Sequence, residues 1–76
     1  MRLDFKEYYQ LKALYRYEKL FGPKKCAISN GIPRSKSILK FLTSGFILIE
    51  DNSVNVSVNG EQYIIENEEY YKSGGF

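Results

Sequence analysis

Lys24-Lys25-Cys26-Ala27-Ile28-Ser29-Asn30-Gly31-Ile32-Pro33-Arg34-Ser35 is the stretch on which the reading of this chain turns. It follows Gly22-Pro23, a strong stop for any helix before it. Pro23 suits the first turn of a new short helix running to Asn30, and Gly31 suits the left-handed position after its end. Ile32 would then plug the turn, and Pro33 would open the next helix. Ala27 stands four positions before Gly31, where a small residue lets two helices cross closely. The segment therefore reads as helix, turn, helix.

The charges around this stretch are sorted by sign. Phe21 to Ile49 holds five cations (Lys24, Lys25, Arg34, Lys36, Lys40) and no carboxylate, whereas Glu50 to Glu69 holds six carboxylates and no cation. A net charge of +2 conceals the division. A carboxylate-free basic block points to a phosphate backbone more than to chemistry. The bland alternative is an ordinary lysine-rich solvated helix face.

N-terminal to the block, Asp4 to Phe21 lacks Gly and Pro and predicts a helix of about five turns. Ala13, Leu14, Tyr17, Leu20 and Phe21 share one broad face, and Tyr8, Leu11 and Tyr15 form a second stripe. One helix thus has two apolar faces to bury. Either a later segment such as Tyr70-Tyr71 folds back over the second stripe, or Tyr8, Leu11 and Tyr15 make a homodimer. C-terminal to the block, the helix opened by Pro33 should run to Thr43, turning Ile38, Leu39, Phe41 and Leu42 inward and Lys36, Ser37, Lys40 and Thr43 outward. Gly45 should end it.

From Phe46 the pattern turns to β: Phe-Ile-Leu-Ile, then alternation at Val54, Val56 and Val58, then Tyr63-Ile64-Ile65. Asn59-Gly60 between such runs is a strong hairpin signal and predicts that Val54–Val58 pairs with Glu61–Glu66. Asp51-Asn52-Ser53 reads as an earlier turn, which would make Phe46–Glu50 a third strand. The expected result is a single domain with its core at about 4–67 and a frayed tail at 72–76.

Three helices followed by a hairpin resemble the winged helix-turn-helix family, an α+β fold. Residues 24–35 resemble its central motif, and Gly45-Phe46-Ile47 resembles its exit from the recognition helix into the wing. The resemblance implies that helix 33–43 enters the major groove, with Arg34, Ser35, Lys36, Ser37 and Lys40 as the reading face. Arg34 suits bidentate pairing with guanine, and Lys24, Lys25 and Lys40 suit phosphates. The 54–66 hairpin would be the wing, offering Asn59 but no arginine or lysine. The small single-domain members of this family resemble the regulators of Sulfolobus plasmid-virus elements. That likeness implies a sequence-specific double-stranded DNA-binding transcription regulator acting at promoters, its own among them, with two copies per site. The rival reading is a protein-interaction adaptor on the same fold. RNA binding is a weaker rival, since the strands offer no paired aromatic platform.

Other classes find little support. Cys26 is the only cysteine and there is no histidine, so neither a disulfide nor a zinc site is expected. Cys26 reads as a packed small residue. Glu66, Glu68 and Glu69 read as a solvated face. No nucleophile–base pair or phosphate-binding glycine loop points to an enzyme or a cofactor. The longest apolar run is far shorter than the ~20 residues a membrane helix needs, and a lone thiol fits a reducing cytoplasm. A domain this short should bury only a little over ~60% of its unfolded surface, which favours association between copies.

Overall fold

Asp4 starts the first helix with a capping box. Its carboxylate accepts the Glu7 N–H at 2.7 Å, and the Glu7 carboxylate accepts the Asp4 N–H at 3.0 Å, so two N–H groups that have no partner within the helix are satisfied reciprocally. The structure, a computed structural model, describes residues 2–30 and 32–74. In it α1 spans Phe5–Phe21 and stops at Gly22, at φ 89°, as the Gly22-Pro23 signal requires.

Beyond Pro23 the expected short helix is absent. Residues 24–33 form three two-residue strands instead: β1 (Lys24–Lys25), β2 (Ile28–Ser29) and β3 (Ile32–Pro33). Ser29 pairs with Ile32 and Ile28 with Pro33, so the chain reverses directly after Ser29, with Asn30 at φ 54°. Gly31, expected in the left-handed position, lies outside the described residues. Ile32 is exposed and does not plug the turn, whereas Pro33 is buried. Lys24 and Lys25 are drawn out as a strand by pairing with Val54 and Ser53, and the Cys26 N–H donates to the Asn52 carbonyl at 2.8 Å.

The next helix, α2, spans Lys36–Thr43 with Ser35 as its N-cap, so it begins later than Pro33. Its end follows the sequence. Gly45 sits at φ 78°, the Phe46 N–H reaches the Phe41 carbonyl at 2.9 Å and the Gly45 N–H reaches Leu42 at 3.1 Å. These are the two bonds of a Schellman motif. Phe41 is fully buried, Ile38 and Leu42 pack beside it, and Leu39 is left partly exposed.

The hairpin lies earlier than Asn59-Gly60. β4 (Ile47–Glu50) and β5 (Ser53–Val56) are antiparallel, with Glu50 opposite Ser53. Asp51 and Asn52 form the two-residue turn at φ 50° and 61°, the doubly positive geometry that matches strand twist. β1 completes a three-stranded sheet in the order β1-β5-β4. The expected pairing of Val54–Val58 with Glu61–Glu66 is replaced by a helix, α3 (Val58–Glu66), followed by α4 (Glu68–Lys72). Ser57 accounts for the switch: its Oγ accepts the Gly60 N–H at 3.0 Å as N-cap and donates to the Gly45 carbonyl at 2.6 Å. Gly60 serves packing instead of a turn, because a Cβ there would collide with the Phe46 carbonyl oxygen and approach Val56 Cγ1 to 2.9 Å.

The result is an α+β domain whose order does not match three helices then a hairpin. Leu3, Tyr8, Leu11, Phe41, Ile47, Val54, Ile64 and Tyr71 form the core. Tyr8 and Leu11, read as dimer candidates, are 1% and 0% exposed. Tyr71 stacks on Tyr8 with ring centroids 3.9 Å apart, so the C-terminal segment folds back over this stripe and neither residue offers surface to a second copy. Tyr15, the third candidate, is half-buried and packs against the same core. Of the tail expected to fray, Lys72 ends α4, Ser73 and Gly74 follow it, and Gly75 and Phe76 lie outside the described residues.

Candidate nucleic-acid interface

The short strand β1 and the N-terminal end of α2 come together against α1. Between them lies a groove of about 450 Å³, lined on the polar side by Lys24, Lys25, Ser35 and Ser37 and floored by Leu14, Ile38, Phe41 and Val54. Four of the residues read as nucleic-acid contacts thus share one concavity. Arg34 and Lys36 flank it, both exposed. The Arg34 backbone is fixed by donating to the Ala27 carbonyl at 3.2 Å, so the β2–β3 turn sets where α2 starts.

At this end of α2 the Ser35 hydroxyl accepts the Ile38 N–H at 3.4 Å. The remaining first-turn N–H groups have no acceptor within the helix and carry the positive end of its dipole. Lysine ammoniums, a guanidinium and helix-terminal N–H groups together form a surface suited to phosphate oxygens. The cations differ in freedom. Lys25 Nζ donates to the Asp51 carbonyl at 3.3 Å, and Lys24 Nζ stands 5.7 Å from the centroid of the Tyr17 ring. Among the described residues Arg34 and Lys36 make no ion pair.

Two predicted residues are not part of this surface. Lys40 turns to α1 and pairs with Glu7 at 2.8 Å. The hydrogen bond from Lys40 and then the one from the Asp4 N–H hold the Glu7 carboxyl below its usual range, so this lysine serves the joint between α1 and α2. Asn59 is exposed in the first turn of α3 and caps no hairpin. The hairpin that does follow α2 carries Glu50 and Asp51 at its tip, so the tip repels a phosphate backbone.

Ala13 and Tyr17, read from sequence only as part of an apolar face, also line the groove, together with Gln10, which that reading left out. Their spacing with Leu14, at i, i+3, i+4 and i+7, places them on one helix face, and that was the available signal. The buried Gln10 Oε1 has no hydrogen-bond partner among the described residues. No group of three or more His, Cys, Asp or Glu able to hold a metal occurs among the described residues, and no helix there is long and apolar enough to cross a membrane. Comparison of the chain with known protein families, with curated proteins and with solved structures gives no match.

Proposed function

We propose that the protein binds double-stranded DNA and regulates transcription, with Lys24, Lys25, Arg34 and Lys36 as its principal contacts. The observation that carries this reading is the folding of a carboxylate-free block, residues 21–49, so that β1 and the N-terminal end of α2 line a single groove. In this reading a phosphate sits over the first turn of α2 between the lysines, and Arg34 reaches a base edge. A helix leading through a Schellman turn into a hairpin retains half of the winged helix-turn-helix resemblance. The first motif helix is replaced by β1, β2 and β3, and the wing becomes the β4–β5 hairpin. Because its tip is acidic, the hairpin acts by its backbone and by Asn52 and Asn55, and it limits affinity.

The test is binding of the purified protein to duplex DNA from upstream of its own gene, against scrambled duplex, over a salt series. The expected outcome is a preference for the native duplex and a steep salt dependence. Arg34→Ala should relax sequence preference, costing ~1–3 kcal/mol of discrimination if it reads a base. Lys24→Ala or Lys36→Ala should weaken all duplexes alike and reduce the salt slope by about 1 each. Weak, equal binding to both duplexes would sink the proposal and favour a protein-interaction adaptor.

A further inference from the structure

The face of α1 opposite the core is apolar and basic, and its Tyr9, Ala13, Arg16, Tyr17 and Leu20 are exposed among the described residues. Leu20 is 73% exposed and Tyr9 is 47% exposed. Tyr9, Lys12, Ala13, Arg16, Tyr17 and Leu20 line a shallow groove along the helix. These positions make two overlapping holes at i, i+3, i+4 and i+7 spacing, with the small Ala13 shared by both, which is the shape that receives side-chain knobs from another helix. The rim is cationic for a structural reason. The carboxylates of α1 are each engaged elsewhere: Asp4 caps the helix, Glu7 holds Lys40, and Glu18 accepts the Val56 N–H at 2.7 Å.

The complementary surface lies on the same chain. Val58 and Ile65 are 73% and 59% exposed and stand seven residues apart in α3, on one face of the helix. Glu61, between them on that face, is met by Lys19 of α1 at 4.0 Å. Among the described residues the unpaired negative charge is that of Glu66 at the end of α3 and of Glu68 and Glu69, exposed just beyond. One apolar helix face is therefore rimmed with positive charge and the other with negative charge.

We propose that the protein self-associates head to tail, the Val58–Ile65 face of α3 in one copy docking into the α1 groove of the next. A symmetric contact between two α1 faces sets Lys12 and Arg16 against their own copies, and one between two α3 faces opposes carboxylates. Like-charge juxtaposition of this kind disfavours both symmetric contacts. The heterologous contact pairs opposite charges around apolar centres. It also adds burial to a short chain, whose own buried fraction is modest. Such a contact leaves one free groove and one free α3 face at the ends, so growth continues or closes in a ring. Ala13 and Tyr17 line both grooves, but Lys12, Arg16, Glu66 and Glu69 are outside the proposed DNA contacts, so reversing them tests association without altering those contacts.

The experiment is sedimentation velocity on the full chain over a concentration series at low and high salt, together with two charge-reversed variants. One is Lys12→Glu with Arg16→Glu; the other is Glu66→Lys with Glu69→Lys. All four positions are at the surface, and circular dichroism verifies that both variants fold. The native chain should associate beyond a dimer as concentration rises, and less so as salt rises. Each variant alone should associate at least about tenfold more weakly. Mixing the two should restore association beyond a dimer, because the native α3 face of one copy meets the native groove of the other, and the reversed groove and reversed face again pair opposite charges. A native chain that stays monomeric throughout would overturn the proposal. So would a symmetric dimer indifferent to both reversals, or variants that fail to complement each other.

Discussion

The aromatic end of the molecule and its basic groove solve the placing of polar groups in opposite ways. Around Leu3 every polar atom is consumed. The Leu3 N–H donates to the Tyr63 hydroxyl at 2.9 Å, the Tyr63 and Tyr71 hydroxyls meet at 2.6 Å, and the Tyr71 hydroxyl donates to the Leu3 carbonyl at 2.5 Å. With the Tyr71 proton committed to Leu3, Tyr63 is the donor to Tyr71, and the bonds close a ring in which each hydroxyl both gives and accepts. Tyr8 adds a bond from its hydroxyl to the Ile64 carbonyl at 3.0 Å. Burial is the chief cause that pushes the Tyr71 hydroxyl pKa far above its ordinary value. In the groove, by contrast, Ser37, the end of α2 and the lysines leave donors unused. A closed network stabilises, whereas open donors are available for a ligand.

The largest expected effect is at the closed end. Tyr71→Ala removes the ring stacked on Tyr8 and opens the hydrogen-bonded cycle, leaving the Leu3 carbonyl unpaired. Truncating a buried aromatic typically costs ~3–5 kcal/mol, a large share of what so small a domain can have. Urea unfolding should show a midpoint lowered accordingly, while DNA affinity under conditions where the variant remains folded should be unchanged. A loss of affinity in the folded variant would mean that the two regions are coupled.

A smaller effect is expected where α1 meets the sheet. The Glu18 carboxylate, accepting the Val56 N–H at 2.7 Å, fixes the end of β5 just before Ser57 turns the chain into α3. Glu18→Ala leaves that N–H without its partner and should cost ~1–3 kcal/mol. Glu18→Gln retains an acceptor and should recover most of the loss. Equal destabilisation by both substitutions would show that charge, and not the hydrogen bond, matters there.

Much of this architecture was legible because it rests on local signals. Asp4 and Gly22 bound α1, Gly45 closes α2, and Asp51-Asn52 turns the hairpin, each by backbone requirements within a few residues. The failures share one cause. The chain has two Asn-Gly dipeptides, Asn30-Gly31 and Asn59-Gly60, and hairpin chemistry was assigned to the second. In the structure Asn30 directly follows the paired strand β2, and Asn59-Gly60 lies in a helix. What separates them is not local. Helical Val58–Glu66 buries Ile64 beneath Tyr8 and fits Gly60 against Phe46, contacts between residues far apart in sequence. The two apolar faces of α1 were likewise legible, but which one the C-terminal helices would cover depended on Tyr71 reaching Tyr8. Charge segregation pointed to the basic groove, whereas the capture of Lys40 by Glu7 needed the crossing of α1 and α2 to be known.

That pair is the boundary between the two regions, and it gives the smallest expected effect. Lys40 and Glu7 are partly exposed, at 33% and 18% of their side chains, so their attraction is worth no more than about 1 kcal/mol. The Glu7 carboxyl is depressed chiefly by the Lys40 hydrogen bond. Its contribution to stability is therefore present above the unfolded carboxylate value, ~4.3, and is lost as pH falls through the lower folded value. Lys40→Ala removes the main cause of the depression. The variant should be slightly less stable than the native chain at neutral pH, and the gap should close in acid, as read from urea midpoints at about pH 7 and about pH 2.5. If Lys40 belongs to the structural side, the salt slope of DNA binding stays unchanged in this variant, whereas Lys36→Ala, on the same helix, lowers it. A slope that falls equally in both would return Lys40 to the binding face and move the boundary between the two regions onto α2.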